Sequence, residues 1–243
     1  MFDLKKYSAA NIKNDILSGL VVAVALVPEA IAFSFIAGVS PIVGLYAAFI
    51  IGLITSIIGG KPGMISGATG SVAVVMIGLM LEANAKLTAA GMVGEELYIH
   101  ALNYLLLATI IAGAIQVAFG LFKLGKFIRL VPQPALYGFV NGLAIVIAMA
   151  QFKFFEGQGI SMYVVVGVTM LIMYILPKFT KVIPAGLVAI VVLTLIVYFM
   201  QIDTVTVGSL ANLSEFKGQL PHLIIPDTLF SLEAILMVLP YAI

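Results

Sequence analysis

The chain has no cysteine, two histidines and only 9% charged residues, and each shortage narrows what it can be. Without cysteine there is no disulfide, no thiolate metal site and no thiol nucleophile. His100 and His222 read as residues of outer loops near span ends, with no second histidine or carboxylate at ligand spacing, which argues against a metal site. Neither histidine falls in a long apolar run, so a serine–histidine protease of the membrane interior is not supported, and the chain is not read as an enzyme. A formal net charge of +1 gives no reason to expect nucleic acid as a partner. The lack of charge is itself informative, because soluble domains carry about 25% charged and roughly 45–50% apolar residues. Here 63% of the residues are hydrophobic, which marks a polytopic membrane protein.

Apolar runs near the roughly 20 residues that a spanning helix needs fall at about 16–37, 41–59, 101–122, 130–151, 160–177 and 182–200. A shorter one lies at about 68–82, and an eighth opens near 231. Residues 1–15 read as a cytoplasmic arm, and Pro28 and Glu29 at the centre of the first run argue against a cleaved leader. With the N-terminus in the cytoplasm, the inside segments hold Lys5, Lys6, Lys13, Lys61, Lys123, Lys126, Arg129, Lys178 and Lys181. The outside segments hold only Lys86, Lys153 and Lys217. Nine cations against three is the bias of the positive-inside rule. Lys123, Lys126 and Arg129 read as topology determinants and headgroup contacts.

Leu26-Val27-Pro28-Glu29-Ala30-Ile31 is echoed by Val238-Leu239-Pro240-Tyr241-Ala242-Ile243. A repeat after seven crossings must be inverted. Residues 231–243 are therefore expected to open an eighth span, with the chain as the front part of a longer polypeptide.

Two places suggest transport chemistry. Glu29 is the carboxylate nearest the middle of a span, where burying charge costs at least about 2.5–3.5 kcal/mol, so it should face protein or a water-filled cavity. Pro28 removes a backbone hydrogen bond beside it and is expected to break the first span. The second place is Ser66-Gly67-Ala68-Thr69-Gly70-Ser71, which follows the Gly59–Gly63 turn and starts the short run. From Thr69 to Leu81 the run would make about 20 Å of helix, less than a ~30 Å hydrocarbon core, so it is expected to begin inside the membrane. Its free N–H groups and positive dipole end suit an anion, with Ser66 or Thr69 as cap. The same small residues would also serve close helix packing, as would Gly138 and Gly142, with Asn141 bonding across helices. Pro132-Gln133-Pro134 reads as a span entry.

These residues together resemble the sulfate permease (SulP) family of inorganic anion transporters. The resemblance rests on Asp15 with Leu17-Ser18-Gly19-Leu20, Val27 to Phe33, Gly38-Val39-Ser40-Pro41 with Gly44-Leu45-Tyr46, and Gly59-Gly60 with Pro62. Ile65 to Ser71 and Gly138-Phe139 with Gly142 extend it along the chain. It departs at Val43, where many members have tyrosine, and at Lys61-Pro62, which fits a bacterial-type member better than a eukaryotic one. The resemblance implies an all-α, seven-plus-seven inverted-repeat fold like that of uracil transporters, of which 16–230 is the first repeat. It further implies a core domain that moves against a gate domain, a homodimer of the full-length protein, and a cytoplasmic STAS domain absent here. Thr69 and its neighbours match one half of an anion site, and Glu29 matches the first-span carboxylate or amide position. The expected function is secondary active transport of sulfate or bicarbonate across the cell (inner) membrane, coupled to protons or sodium, with no other cofactor. A nucleobase permease of the same architecture and a non-transporting truncated remnant are the alternatives.

Overall fold

The computed structural model describes residues 9–59, 63–180, 184–206 and 231–243. Within them the chain forms α1 (Ala9–Ala37), α2 (Pro41–Ile58), α3 (Gly70–Ala89), α4 (Gly94–Leu121), α5 (Gln133–Phe152), α6 (Ile160–Phe179), α7 (Ala185–Met200) and α8 (Leu232–Ala242). Short 3-10 helices, Leu124–Leu130 and Lys153–Phe155, follow α4 and α5. Each apolar run read from the sequence is a helix, and the first six are long and apolar enough to cross a membrane. Helix is the form such runs must take, since hydrocarbon offers no partner to an unpaired N–H or C=O.

Local chemistry sets the joints. α1 ends in a Schellman motif in which Val39 N–H donates to the Ser34 carbonyl at 3.0 Å and Gly38 N–H to the Phe35 carbonyl at 3.2 Å. Gly38 takes the left-handed conformation this requires, with φ of 74°. Pro41 then opens α2, where a missing N–H costs nothing. α1 and α2 cross closely at Gly44, where a Cβ would overlap the Ser34 hydroxyl and stand 3.0 Å from the Ala30 carbonyl oxygen. That hydroxyl donates back to the Ala30 carbonyl at 2.6 Å, so a polar group is buried in the crossing without being orphaned.

Three expectations need correcting. The first span is not broken: α1 is one continuous helix with Pro28 inside it. Proline deprives the Val24 carbonyl of one partner, which a long membrane helix tolerates. The third helix is not short either. It runs for 20 residues, since Glu82 and Lys86 add polar turns beyond the apolar run and helical hydrogen bonding does not stop where polarity changes. α4 likewise starts at Gly94, with Glu95 and Glu96 in its first turn facing the positive dipole end. His100 is therefore a helical residue, while His222 lies outside the described residues.

The principal core lies among α3, α4 and α8. Leu79, Met80, Ala83 and Leu87 meet Ala101, Tyr104, Leu105, Leu107 and Ala108, with Ala234 and Val238 closing the cluster. The spacings of three and four residues put each set on one helix face. A smaller cluster of Ile36, Ala37 and Ala73, with Phe33, Ile147 and Ala150 against it, joins α1, α3 and α5. α6 and α7 pack mainly on each other.

Candidate functional site

α1 and α3 run parallel, as a series of contacts along them shows. A Cβ on Gly67 would stand 2.8 Å from Leu26 Cδ2, and one on Gly70 3.1 Å from Phe33 Cε1 and 2.5 Å from Ile147 Cδ1. Farther along, Ile36 and Ala37 pack with Ala73. Leu26 lies about 21 Å along the helix from Ile12 and about 16 Å short of Ala37, the two ends of the candidate span. Gly67 is therefore level with the middle of α1, and Gly70, the first residue of α3, with Phe33, one turn from the end of α1; Pro28 and Glu29 lie between these two levels.

Thr69 is the N-cap, with φ of −127° and ψ of 132°, and its side chain makes no capping bond. Its carbonyl accepts the Ala73 N–H at 3.1 Å. The N–H groups of Gly70, Ser71 and Val72 thus have no acceptor within the helix. α8 starts differently, with Ser231 Oγ accepting the Ala234 N–H at 3.0 Å. Ser66 and Thr69 are exposed, Gly67, Ala68 and Ser71 half-buried, and Gly70 buried. Such an end carries about half an elementary positive charge and several aligned donors, enough to hold a small anion without a cation.

Glu29 is exposed, next to half-buried Pro28 and buried Ala30, and its carboxylate has no hydrogen-bond or ion-pair partner among the described residues. Phe33 and Ile147 were not singled out from the sequence, yet both flank Gly70. Phe33 was findable, since it follows Glu29 by one helical turn on the same face of α1. Ile147 was not, because nothing local brings α5 to the start of α3. Gly138 and Gly142 pack on no neighbour among the described residues, as a Cβ on either would meet nothing within 4 Å. Asn141 between them is exposed, with no hydrogen bond among the described residues.

The model of the Sulfate permease family matches residues 12–163, more than half of the chain. The chain belongs to that family. Among its relatives is YbaR of Bacillus subtilis (strain 168), provisionally named as a sulfate transporter, 46% identical over 242 residues, all of this chain and 46% of YbaR. The bicarbonate transporter BicA of Picosynechococcus sp. is 31% identical over 239 residues, 89% of this chain and 40% of BicA. The solved transmembrane domain of a cyanobacterial BicA superposes with a TM-score of 0.72 at 25% identity, over 98% of this chain and 63% of that one. The fold is thus the inverted-repeat architecture of the family. The chain spans about half the length of the curated relatives it matches.

Proposed function

We propose that the protein carries out secondary active transport of a small inorganic oxyanion, sulfate or bicarbonate, by alternating access. One observation carries this reading: the start of α3 has no side-chain cap, its Gly70, Ser71 and Val72 N–H groups are open, and it lies against Phe33, one helical turn along α1 from Glu29, which has no partner among the described residues. The names of the relatives, sulfate and bicarbonate transporters, support the same substrate class. Ser66 to Ser71 form the anion-binding side, with the Thr69 hydroxyl as a side-chain donor at the helix end beside the backbone. Pro28 and Glu29 form the coupling side, where the carboxylate carries a proton or balances a sodium ion. The resemblance implies a second helix end opposite the first, so the activity belongs to the full-length protein in the cell membrane.

The test is uptake of labelled sulfate and of labelled bicarbonate into proteoliposomes holding the full-length protein, with imposed proton or sodium gradients. Gradient-driven uptake of either anion, insensitive to excess uracil, is the expected result. Uracil competing where sulfate does not would replace this reading with nucleobase transport. Thr69→Val should weaken uptake, and an unchanged rate would remove that hydroxyl from the site.

A further inference from the structure

Between α4 and α5 the chain turns at Lys123, a non-glycine residue with φ of 55°, and enters the 3-10 helix Leu124–Leu130. A 3-10 helix has 3.0 residues per turn, so side chains three apart eclipse one another. That period sorts the segment into three edges. Lys126 and Arg129 share one, with Lys123 at the turn that precedes it, Leu124, Phe127 and Leu130 the second, and Gly125 and Ile128 the third. Both apolar edges are open, with Phe127 60%, Ile128 63% and Leu130 75% exposed.

The three cations are also exposed, and none has an ion pair among the described residues. No acidic residue occurs between Glu96 and Glu156. α4, which packs against the segment, has its carboxylates Glu95 and Glu96 in its first turn, about 38 Å along the helix from Leu121. The segment joins two helices of membrane-spanning length, Gly94–Leu121 and Gln133–Phe152, so it lies at a bilayer surface.

We propose that Lys123–Leu130 is a binding surface for anionic phospholipid, with its cationic edge on headgroup phosphates and its apolar edges among the upper acyl carbons. Charge complementarity selects this occupant, because the local sequence contains three cations and no carboxylate to answer them. Arg129 can take a phosphate through two parallel N–H donors, and the two lysines act as point charges. The apolar edges orient the segment flat on the membrane, as in amphipathic interfacial helices. The inference is independent of which solute, if any, the protein transports.

The full-length protein would be placed in nanodiscs of phosphatidylcholine with a minor share of phosphatidylglycerol, and the lipids that stay bound through detergent extraction quantified by mass spectrometry. The wild type should retain phosphatidylglycerol above its share. K123Q/K126Q/R129Q should lose that enrichment by about tenfold or more, and K126Q alone by about fivefold. K123R/K126R/R129K, which keeps the charge, should retain it, and thermal melting would verify that each variant is folded. Equal enrichment in the neutral triple variant and the wild type would overturn the proposal. So would no enrichment in the wild type together with a change of oligomeric mass in the neutral variant, which would make the surface a contact between copies.

Discussion

The segments Leu26–Ile31 and Val238–Ile243 share one pattern and have opposite surroundings. Each is an apolar pair followed by proline, a residue with a polar end, alanine and isoleucine. Each proline lies inside a helix, and each helix leans on α3. α1 runs parallel to α3 along its first half, whereas α8 runs antiparallel to its second half, with Glu233 beside Lys86 and Tyr241 beside Gly78. Opposed directions are what an inverted repeat requires. The difference lies at the residue after proline. Glu29 is exposed and has no partner among the described residues, whereas Tyr241 donates its hydroxyl to Glu82 Oε2 at 2.6 Å, its ring 3.1 Å from where a Gly78 Cβ would stand. The local pattern builds a proline-weakened turn in both places, and packing alone decides which polar group is left available to a ligand.

The comparison can be broken first on its closed side. Leu79 is 1% exposed between α3, α4 and α8, and Leu79→Ala should cost about 2–5 kcal/mol, read as a lower melting temperature of the purified protein. On the open side, Gly70→Leu puts a branched side chain where Phe33 and Ile147 leave room only for hydrogen. Anion uptake should fall on the order of 100-fold while the melting temperature changes less than in Leu79→Ala. Equal uptake in Gly70→Leu and wild type would remove the α3 end from the pathway.

Glu29→Gln sharpens the contrast, because an exposed, unpaired carboxylate contributes nothing to packing. It should leave the melting temperature unchanged and alter the pH dependence of uptake, and an unaltered profile would reject the proton role. The smallest effect belongs to Tyr241→Phe, which removes one exposed hydrogen bond to Glu82 and keeps the ring on Gly78. Its melting temperature should drop less than that of Leu79→Ala, with uptake retained.

Much of this was legible before any tertiary information. The eight α-helices among the described residues fall on the apolar runs, and Pro41 and the glycine at position 38 mark the α1–α2 joint that the structure shows. Ser66 to Ser71 were recognisable as a helix start made of small residues. Misreadings arose where the local rule was too strong. Pro28 weakens a helix without ending it, and Glu82 ends an apolar run without ending α3. Gly138 and Gly142 have no neighbour among the described residues, since a small-residue pair specifies only that a neighbour could approach.

The sequence by itself determined the membrane class, the order of the described helices and the weak turns within them, because run length, proline and glycine act within a few residues. Only the tertiary structure decided that the start of α3 is walled by Phe33 and Ile147, and that Tyr241 is engaged where Glu29 has no partner among the described residues. Those outcomes depend on which faces of distant helices pack together, and faces of nearly uniform hydrophobicity do not name their partners.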